Sequence, residues 1–524
     1  MPDAAPSLPR HLARHVVNQD YAAYTSRDQA VWRHILTRLT SHLEGRAHPS
    51  YLQGLAAAGI GVEAIPRLEE MDACLSRFGW RAVGVRGFIP PAVFTELQAL
   101  GVLAIAADIR SVEHLRYTPA PDIVHESAGH APILADPAYA AYVKRCGVAG
   151  FKAIASREDE AVYRAIRHLS VIKEDPARRP GAVAEAEARL EAARAARTYP
   201  SESTRASRLY WYTAEYGLVG DLDAPRIYGA GLLSSLGEAA HCLGPGVERL
   251  PLTLECVERD FDITAMQPRL YVARDFGHLM EVLEAFEATL SWKRGGEHGL
   301  REALRAGTVN HLVLDTGLEV TGRVVTLEPG LVLLEGPILV SVGGRVQGEP
   351  WTGSALVVLD AGDPPRVGDF RLETPGGVEI SGLRLEGGEA LELEGWLGSR
   401  DLELPEVALL LTADRVVSVA GGPGDPEAWD RLYGEPWNAG DEAEAEARER
   451  RRLALDPRLA ALYQEVRDLR EAPSLAPSRL EALIAALAAW PEEWLLAEEV
   501  AELQAREVSQ EGVGAAPGPC VERP

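Results

Sequence analysis

The chain has 524 residues, too many for one hydrophobic core and enough for about three domains at roughly 150 residues each. Its 78 acidic against 53 basic side chains leave a formal net charge of −25, which argues against nucleic acid and anionic membrane surfaces as partners. Five scattered cysteines (Cys74, Cys146, Cys242, Cys256 and Cys520), odd in number and without a C-x-x-C pair, imply neither a disulfide framework nor a thiolate metal site.

The opening MPDAAPSLPRHLARHV lacks the apolar stretch of a secretion signal, and nowhere do about eighteen apolar residues run together as a membrane span requires. A cytoplasmic protein with no membrane partner is expected. Further along, RYTPAPDIVHESAGHAPILA (116–135) sets His125, Glu126 and His130 within six residues, a cluster that asks for a metal. Histidines four apart on an α-helix lie about 40° from each other around the axis, the arrangement zinc peptidases use, whereas a step of five turns the second about 140° away. The pair can converge if the helix stops between them, and Gly129 followed by Pro132 is the punctuation expected of such a stop. His125 then projects from the last turn and His130 from the chain just beyond. Pro119 and Pro121 fix the entry, Asp122 is a candidate N-cap or first-turn acid, and Arg110 supplies a permanent positive charge upstream.

The third ligand must come from elsewhere. Residues 157–198 are rich in Ala, Glu and Arg, including AVAEAEARLEAARAART, and read as an inserted amphipathic or solvated helix. Beyond them LYWYTAEYG (209–217) places Glu215 among Tyr210, Trp211, Tyr212 and Tyr216. A carboxylate among rings is costly to bury unless a cation meets it. An arginine would serve; so would iron. Two neutral imidazoles and one carboxylate make the facial triad of non-heme Fe(II) oxygenases, with three adjacent positions left open.

From about 306 to 420 short runs such as HLVLDTGLEVTGRVVTL and SALVVLD alternate apolar and polar residues between turns, predicting an all-β module, a small barrel or sandwich. Residues 426–508 read as a helical pair or hairpin, and 509–524 as a disordered tail. Neither region carries chemistry legible in its residues. The C-terminal segments are candidates for homo-oligomer contacts or for shielding the catalytic part.

Four blocks, GWRAVGVRGFIP (79–90), YTPAPDIVHESAGHAP (117–132), YWYTAEYGL (210–218) and YGAGLLSSLGE (228–238), resemble the pterin-dependent aromatic amino acid hydroxylases and occur in that family's order. IPRLEEM (65–71) and MQPRLYVARDF (266–276) extend the resemblance over about the first 295 residues. It implies a mainly α catalytic domain over 1–300 in a multidomain α+β chain, with helices and a small sheet around a deep metal site. It implies that His125, His130 and Glu215 hold a single Fe(II), that Glu126 is a catalytic acid reaching the pterin, and that Arg110 clamps the substrate carboxylate. Thr118, Trp211, Gly231 and Ser234 fall on substrate-side positions, and Gly87, Phe88, Ile89 and Phe94 on the pterin side. The implied reactants are an aromatic amino acid, dioxygen and a reduced pterin, tetrahydrobiopterin or a relative. The implied arrangement leaves no room for the N-terminal regulatory domain of animal members.

Three features depart from the family pattern. Ala120 replaces a glutamate between the two prolines, Leu103 and Ala104 stand where animal members carry an aromatic residue and a histidine near the pterin, and the gap from His130 to Glu215 (215 − 130 = 85 positions) exceeds the family norm. Ile263, where tyrosine hydroxylases carry an acid, favours phenylalanine over tyrosine or tryptophan as substrate. The rival readings are a zinc metallopeptidase using H-E-x-x-G-H with Glu126 as general base, and a non-catalytic metal-retaining scaffold.

Overall fold

A computed structural model describes the chain from residue 8 to residue 513 apart from 116–120, 176, 264, 361–367, 374–378, 385–390, 395–396, 399–406, 423–454 and 473–475. Helix α1 (Ser26–Leu43) begins with a capping box in which Thr25 and Asp28 satisfy each other's backbone N–H, and buries Trp32, Ile35, Leu36 and Leu39 along one face. Strand β1 (Arg81–Val85), helix α2 (Pro91–Ala99) and strand β2 (Val102–Ala106) follow, with β1 and β2 parallel and closing a small core of Leu12, Val85, Val93, Leu97, Val102 and Ala104.

Residues Val124–His130 form a π-helix, which a short 3-10 turn, Pro132–Ala135, joins to α3 (Pro137–Lys152). Two helices come next, α4 (Arg157–Glu174) and α5 (Ala182–Ala195), which pack on each other through Ala165, Leu169, Ala186 and Leu190. The expected inserted helix is thus a two-helix hairpin, because Pro180 and Gly181, the latter in a left-handed conformation, interrupt the helical run before α5. Helix α6 (Glu202–Tyr210) leads without a break into a second π-helix, Trp211–Glu215. A four-stranded sheet of order β4-β3-β6-β5 (β3 Leu218–Gly220, β4 Pro225–Ile227, β5 Glu248–Pro251, β6 Arg269–Ala273), the short helix α7 (Ala230–Leu233) and helix α8 (Phe276–Glu287) complete this part, as the expectation of helices with a small sheet requires.

Helix α9 (Gly296–Ala306) then covers a single continuous sheet of eleven strands running from β7 (Val309–Leu314) to β17 (Val416–Gly421). Leu300, Ala303 and Ala306 of α9 share its core with Leu312, Val320, Leu334 and Val357. Along its main path the order is β12 (Gly368–Glu373), β13 (Glu379–Arg384), β14 (Leu391–Glu394), β16 (Val407–Ala413), β11 (Ser354–Leu359), β9 (Leu331–Val342), β8 (Leu318–Glu328), β7 and β17, with β10 (Arg345–Trp351) paired to β9 and β15 (Leu397–Gly398) to β13; β12 and β17 stand at opposite ends, and among the described residues these ends do not pair with each other. The ladder is open at these two ends, and the region is all-β, as the expected small barrel or sandwich module requires. Strand β17 seats the sheet on the N-terminal helical part: Ser418 donates to the Trp292 carbonyl (2.9 Å), and a side chain at Gly421 would strike the Ala153 carbonyl.

Three C-terminal helices, not two, are described: α10 (Pro457–Glu471), α11 (Pro477–Leu487) and α12 (Trp494–Val513). Helix α12 continues past the expected boundary at 508, and the rest of the predicted tail, 514–524, lies outside the described residues. Leu459, Tyr463, Val466, Leu496 and Leu503 join the same core as α1, so these helices fold back on the N-terminal helical part of their own chain. No helix among the described residues is long and apolar enough to cross a membrane.

Candidate metal centre

The step of five between His125 and His130 is resolved by helix type, not by a helix end. In a π-helix the backbone bond closes between residues five apart, here Ala131 N–H to the Glu126 carbonyl (3.3 Å), so the wider turn brings side chains five apart onto one face. The expected stop after His125 is therefore wrong. Gly129 serves another purpose: a Cβ there would lie 2.6 Å from the Ala230 carbonyl oxygen, so its hydrogen lets α7 approach. The second π-helix repeats the device, with Tyr216 N–H bonded to the Trp211 carbonyl (2.8 Å), and presents Glu215 from the opposite wall.

The three side chains converge. His125 Nε2 lies 3.2 Å from Glu215 Oε2, His130 Nε2 lies 3.0 Å from Glu215 Oε1, and the two Nε2 atoms are 3.3 Å apart. Atoms so spaced span one face of an octahedron with bonds of about 2.2 Å, suited to imidazole and carboxylate ligands of a first-row divalent ion. Among the described residues this is the one group of three or more His, Cys, Asp or Glu side chains able to hold a metal.

Each ligand has support behind it. The Ser234 hydroxyl donates to the Ala230 carbonyl (2.7 Å), so its oxygen accepts from His125 Nδ1–H (2.9 Å) and the His125 Nε2 lone pair faces the centre. Asp122 caps the first π-helix by accepting from the His125 N–H (3.0 Å), as its place in the sequence predicts. The same carboxylate takes Arg110 Nε (2.8 Å) and Nη2 (2.7 Å), while Arg110 Nη1 donates to the Ser234 carbonyl (3.1 Å). Burial alone would raise the Asp122 carboxyl, but the Arg110 guanidinium outweighs it and holds that group below the usual carboxylate range. Glu215 follows the same logic, with burial opposed and overcome by the two imidazoles.

Glu126 behaves differently. It is buried, its Oε2 has no partner, and burial pushes its carboxyl up to about 8, with His130 pulling it down and Glu215 and Asp122 adding to the rise. An exposed helical glutamate is thereby ruled out. An orphaned carboxyl oxygen facing the same cluster is what a ligand donating a hydrogen bond would satisfy.

The remaining predicted positions divide. Trp211 opens the second π-helix, stacks on Phe261 (4.3 Å between centroids, 10°) and donates to Gln267 Oε1 (3.0 Å). Gly231 faces the Tyr216 ring, where a Cβ would come within 2.7 Å of Cζ, so it packs the Glu215 turn. Ser234 lies behind His125 and acts on the ligand set. Thr118 lies outside the described residues. Gly87, at φ 56°, Phe88 and Ile89 occupy the loop between β1 and α2, and Phe94 on α2 meets Tyr210 edge-on (5.8 Å), whose ring in turn stacks with His130 (6.3 Å, 23°). Sequence reading missed Gln98, which donates to the Tyr210 hydroxyl (2.5 Å), and the pair Phe261 and Gln267 that holds Trp211. The spacing of Phe94 and Gln98, four apart on one helix, was the available signal for the first. Nothing local announced the second.

A mainly helical part that brings two histidines and one carboxylate together presents the donor set of a metal-dependent enzyme of the oxygenase type. The family model of the biopterin-dependent aromatic amino acid hydroxylases matches residues 14–167 and 196–295, and the chain belongs to that family. It is 30% identical over 277 residues to a phenylalanine-4-hydroxylase of Pseudomonas aeruginosa, covering 52% of this chain and 88% of that one. It is likewise 30% identical over 281 residues to the phenylalanine-4-hydroxylase of Caulobacter vibrioides, covering 51% and 81%. A crystal structure of the Chromobacterium violaceum phenylalanine hydroxylase with iron(III) and 7,8-dihydrobiopterin aligns at 25% identity and a TM-score of 0.41, over 54% of this chain and 92% of that one. The protein is accordingly a biopterin-dependent, phenylalanine 4-monooxygenase-like aromatic amino acid hydroxylase, and the metallopeptidase and scaffold readings fall away.

Proposed function

We propose that the protein is a non-heme Fe(II), tetrahydropterin-dependent monooxygenase converting phenylalanine to tyrosine. The observation that carries this reading is the convergence of His125, His130 and Glu215 at 3.0–3.3 Å. When bound, iron and the reduced pterin together supply the electrons that cleave dioxygen, one oxygen atom going to the arene and the other to the pterin.

The chain's own residues do the positioning. Ser234 keeps the His125 ring oriented; Asp122 holds both Arg110 and the start of the first π-helix; Trp211, backed by Phe261 and Gln267, forms an aromatic wall beside Glu215. Arg110 would take the substrate carboxylate with the part of its donor fork not spent on Asp122 and Ser234. Glu126, with an unpartnered oxygen, would accept from the pterin or from water at the centre. Residues 87–89 with Phe94 would line the pterin. The preference for phenylalanine rests on the phenylalanine-4-hydroxylase relatives and on Ile263, an apolar residue in the loop that also holds Phe261 and Gln267. Residues 1–300 are the catalytic domain in this reading, with 306–420 and 426–508 as its appended modules.

Incubating the iron-loaded protein with tetrahydropterin and, separately, phenylalanine, tyrosine and tryptophan tests the proposal by the mass of the product. Tyrosine formed from phenylalanine supports it; a hydroxylated product from tryptophan or tyrosine alone refutes the substrate. His125→Ala and Glu215→Ala should each lose iron and hydroxylation together, and normal iron content with full activity in either would refute the ligand set.

A further inference from the structure

The family match takes in the first part of α4, up to residue 167, and omits residues 168–195, the end of α4 and all of α5; the hairpin these two helices form has no task in the site described above. Its contacts supply one. Asp159, in the first turn of α4, completes a capping box with Ser156 and also accepts from Ser201 Oγ (2.5 Å) and Thr204 Oγ1 (2.7 Å). Ser201 is the N-cap of α6, the helix that runs on to Glu215, so one carboxylate joins the N-terminal ends of both helices.

One turn along the same face of α4, the Tyr163 hydroxyl donates to the Phe88 carbonyl (2.9 Å). Phe88 belongs to no helix or strand and follows Gly87 in a left-handed conformation, so the bond comes to this loop from outside it. Helix α5 stiffens the arm, burying Ala186 and Leu190 against Ala165 and Leu169, with Lys173 and Glu187 paired across the hairpin (3.0 Å). Contacts at two points on a stiff element fix the distance between the things they touch.

We propose that the α4–α5 hairpin is a brace that holds the loop 86–90 against the helix bearing Glu215, with Tyr163 as the positioning residue for that loop. The proposal rests on reading Gly87, Phe88, Ile89 and Phe94 as the pterin side. Tyr163→Phe removes the bond and keeps the ring. It should raise the KM for tetrahydropterin roughly fivefold, the loss expected for one neutral hydrogen bond, with KM for phenylalanine, kcat and iron content unchanged. In the metal- and pterin-free protein the same variant should speed amide exchange at 87–89 and leave α1 unaffected. An unchanged pterin KM, or equal rises in both KM values, would overturn the brace. Phe94→Ala separates the two levels: if it raises the pterin KM and Tyr163→Phe does not, the brace fails while the site reading stands. If Phe94→Ala leaves the pterin KM unchanged, the pterin-side reading fails and takes the brace with it.

Discussion

Ser234 decides the state of the candidate metal ligand His125 from behind its ring. Its single hydroxyl proton goes to the Ala230 carbonyl, which leaves only an acceptor for His125 Nδ1 and settles the imidazole tautomer. Ser234→Ala should therefore lower iron affinity about 10- to 100-fold while leaving the fold intact, measured by competition with a chelator and by thermal unfolding. The residue types of the triad were legible because two histidines, an acid and no nearby cysteine admit few metals. Ser234 was legible only as a member of a motif, since its contact with His125 spans 109 positions and no local pattern encodes it.

At the scale of elements, the ligand set depends on two π-helices. α-Helical geometry would send His130 away from His125; the wider turn keeps both toward Glu215. The first of these turns is pressed against α7 at Gly129, whose added Cβ would meet backbone rather than a yielding side chain. Gly129→Ala should cost about 1–3 kcal/mol in stability, as overpacking does, and weaken iron binding because the turn itself must move. Thermal unfolding and metal titration on one sample check both, and iron affinity equal to the parent's would refute the coupling. The sequence led to a helix break here because glycine and a nearby proline are the usual marks of one; a close neighbour at Ala230 is the reason for the glycine instead.

At the scale of the whole molecule, the C-terminal helices meet α1 through charge buried between distant segments as well as through the apolar core they share. Glu499 on α12 takes Arg33 of α1 at 2.6 Å and Arg470 of α10 at 2.9 Å, all three side chains being nearly inaccessible. Glu499→Ala would leave the buried Arg33 guanidinium without its carboxylate, while Arg470 keeps Glu502 and Glu63, and should cost about 3–5 kcal/mol, with the C-terminal helices becoming protease-sensitive before the N-terminal helical part. Glu498 adds a pH dependence. Burial raises its carboxyl, but hydrogen bonds from Arg38 and His34 more than offset this and hold it below its ordinary value of about 4.3. A carboxyl lowered in the folded state contributes stability that is present above the unfolded value and lost as pH falls through the folded one. Docking of α12 should therefore weaken only on acidification below about pH 4, followed by proteolysis across a pH series, and Glu498→Gln should flatten that limb. The region was legible as helical from its apolar periodicity, but as a pair and not as the three helices that form. Their seat on α1 was not, because the partners of Arg33 and His34 lie more than 460 positions away.

The amino-acid sequence by itself determined the donor set, the order of the family blocks and the alternation of helical and β-rich stretches, because residue chemistry and periodicity are local properties. Only the tertiary structure decided that two widened turns aim three ligands at one point, that Ser234 and Asp122 hold them, that the insertion reaches the Phe88 loop, and that the C-terminus closes on α1. Those outcomes depend on which distant surfaces come within bonding distance, and that is set by the packing of the whole chain.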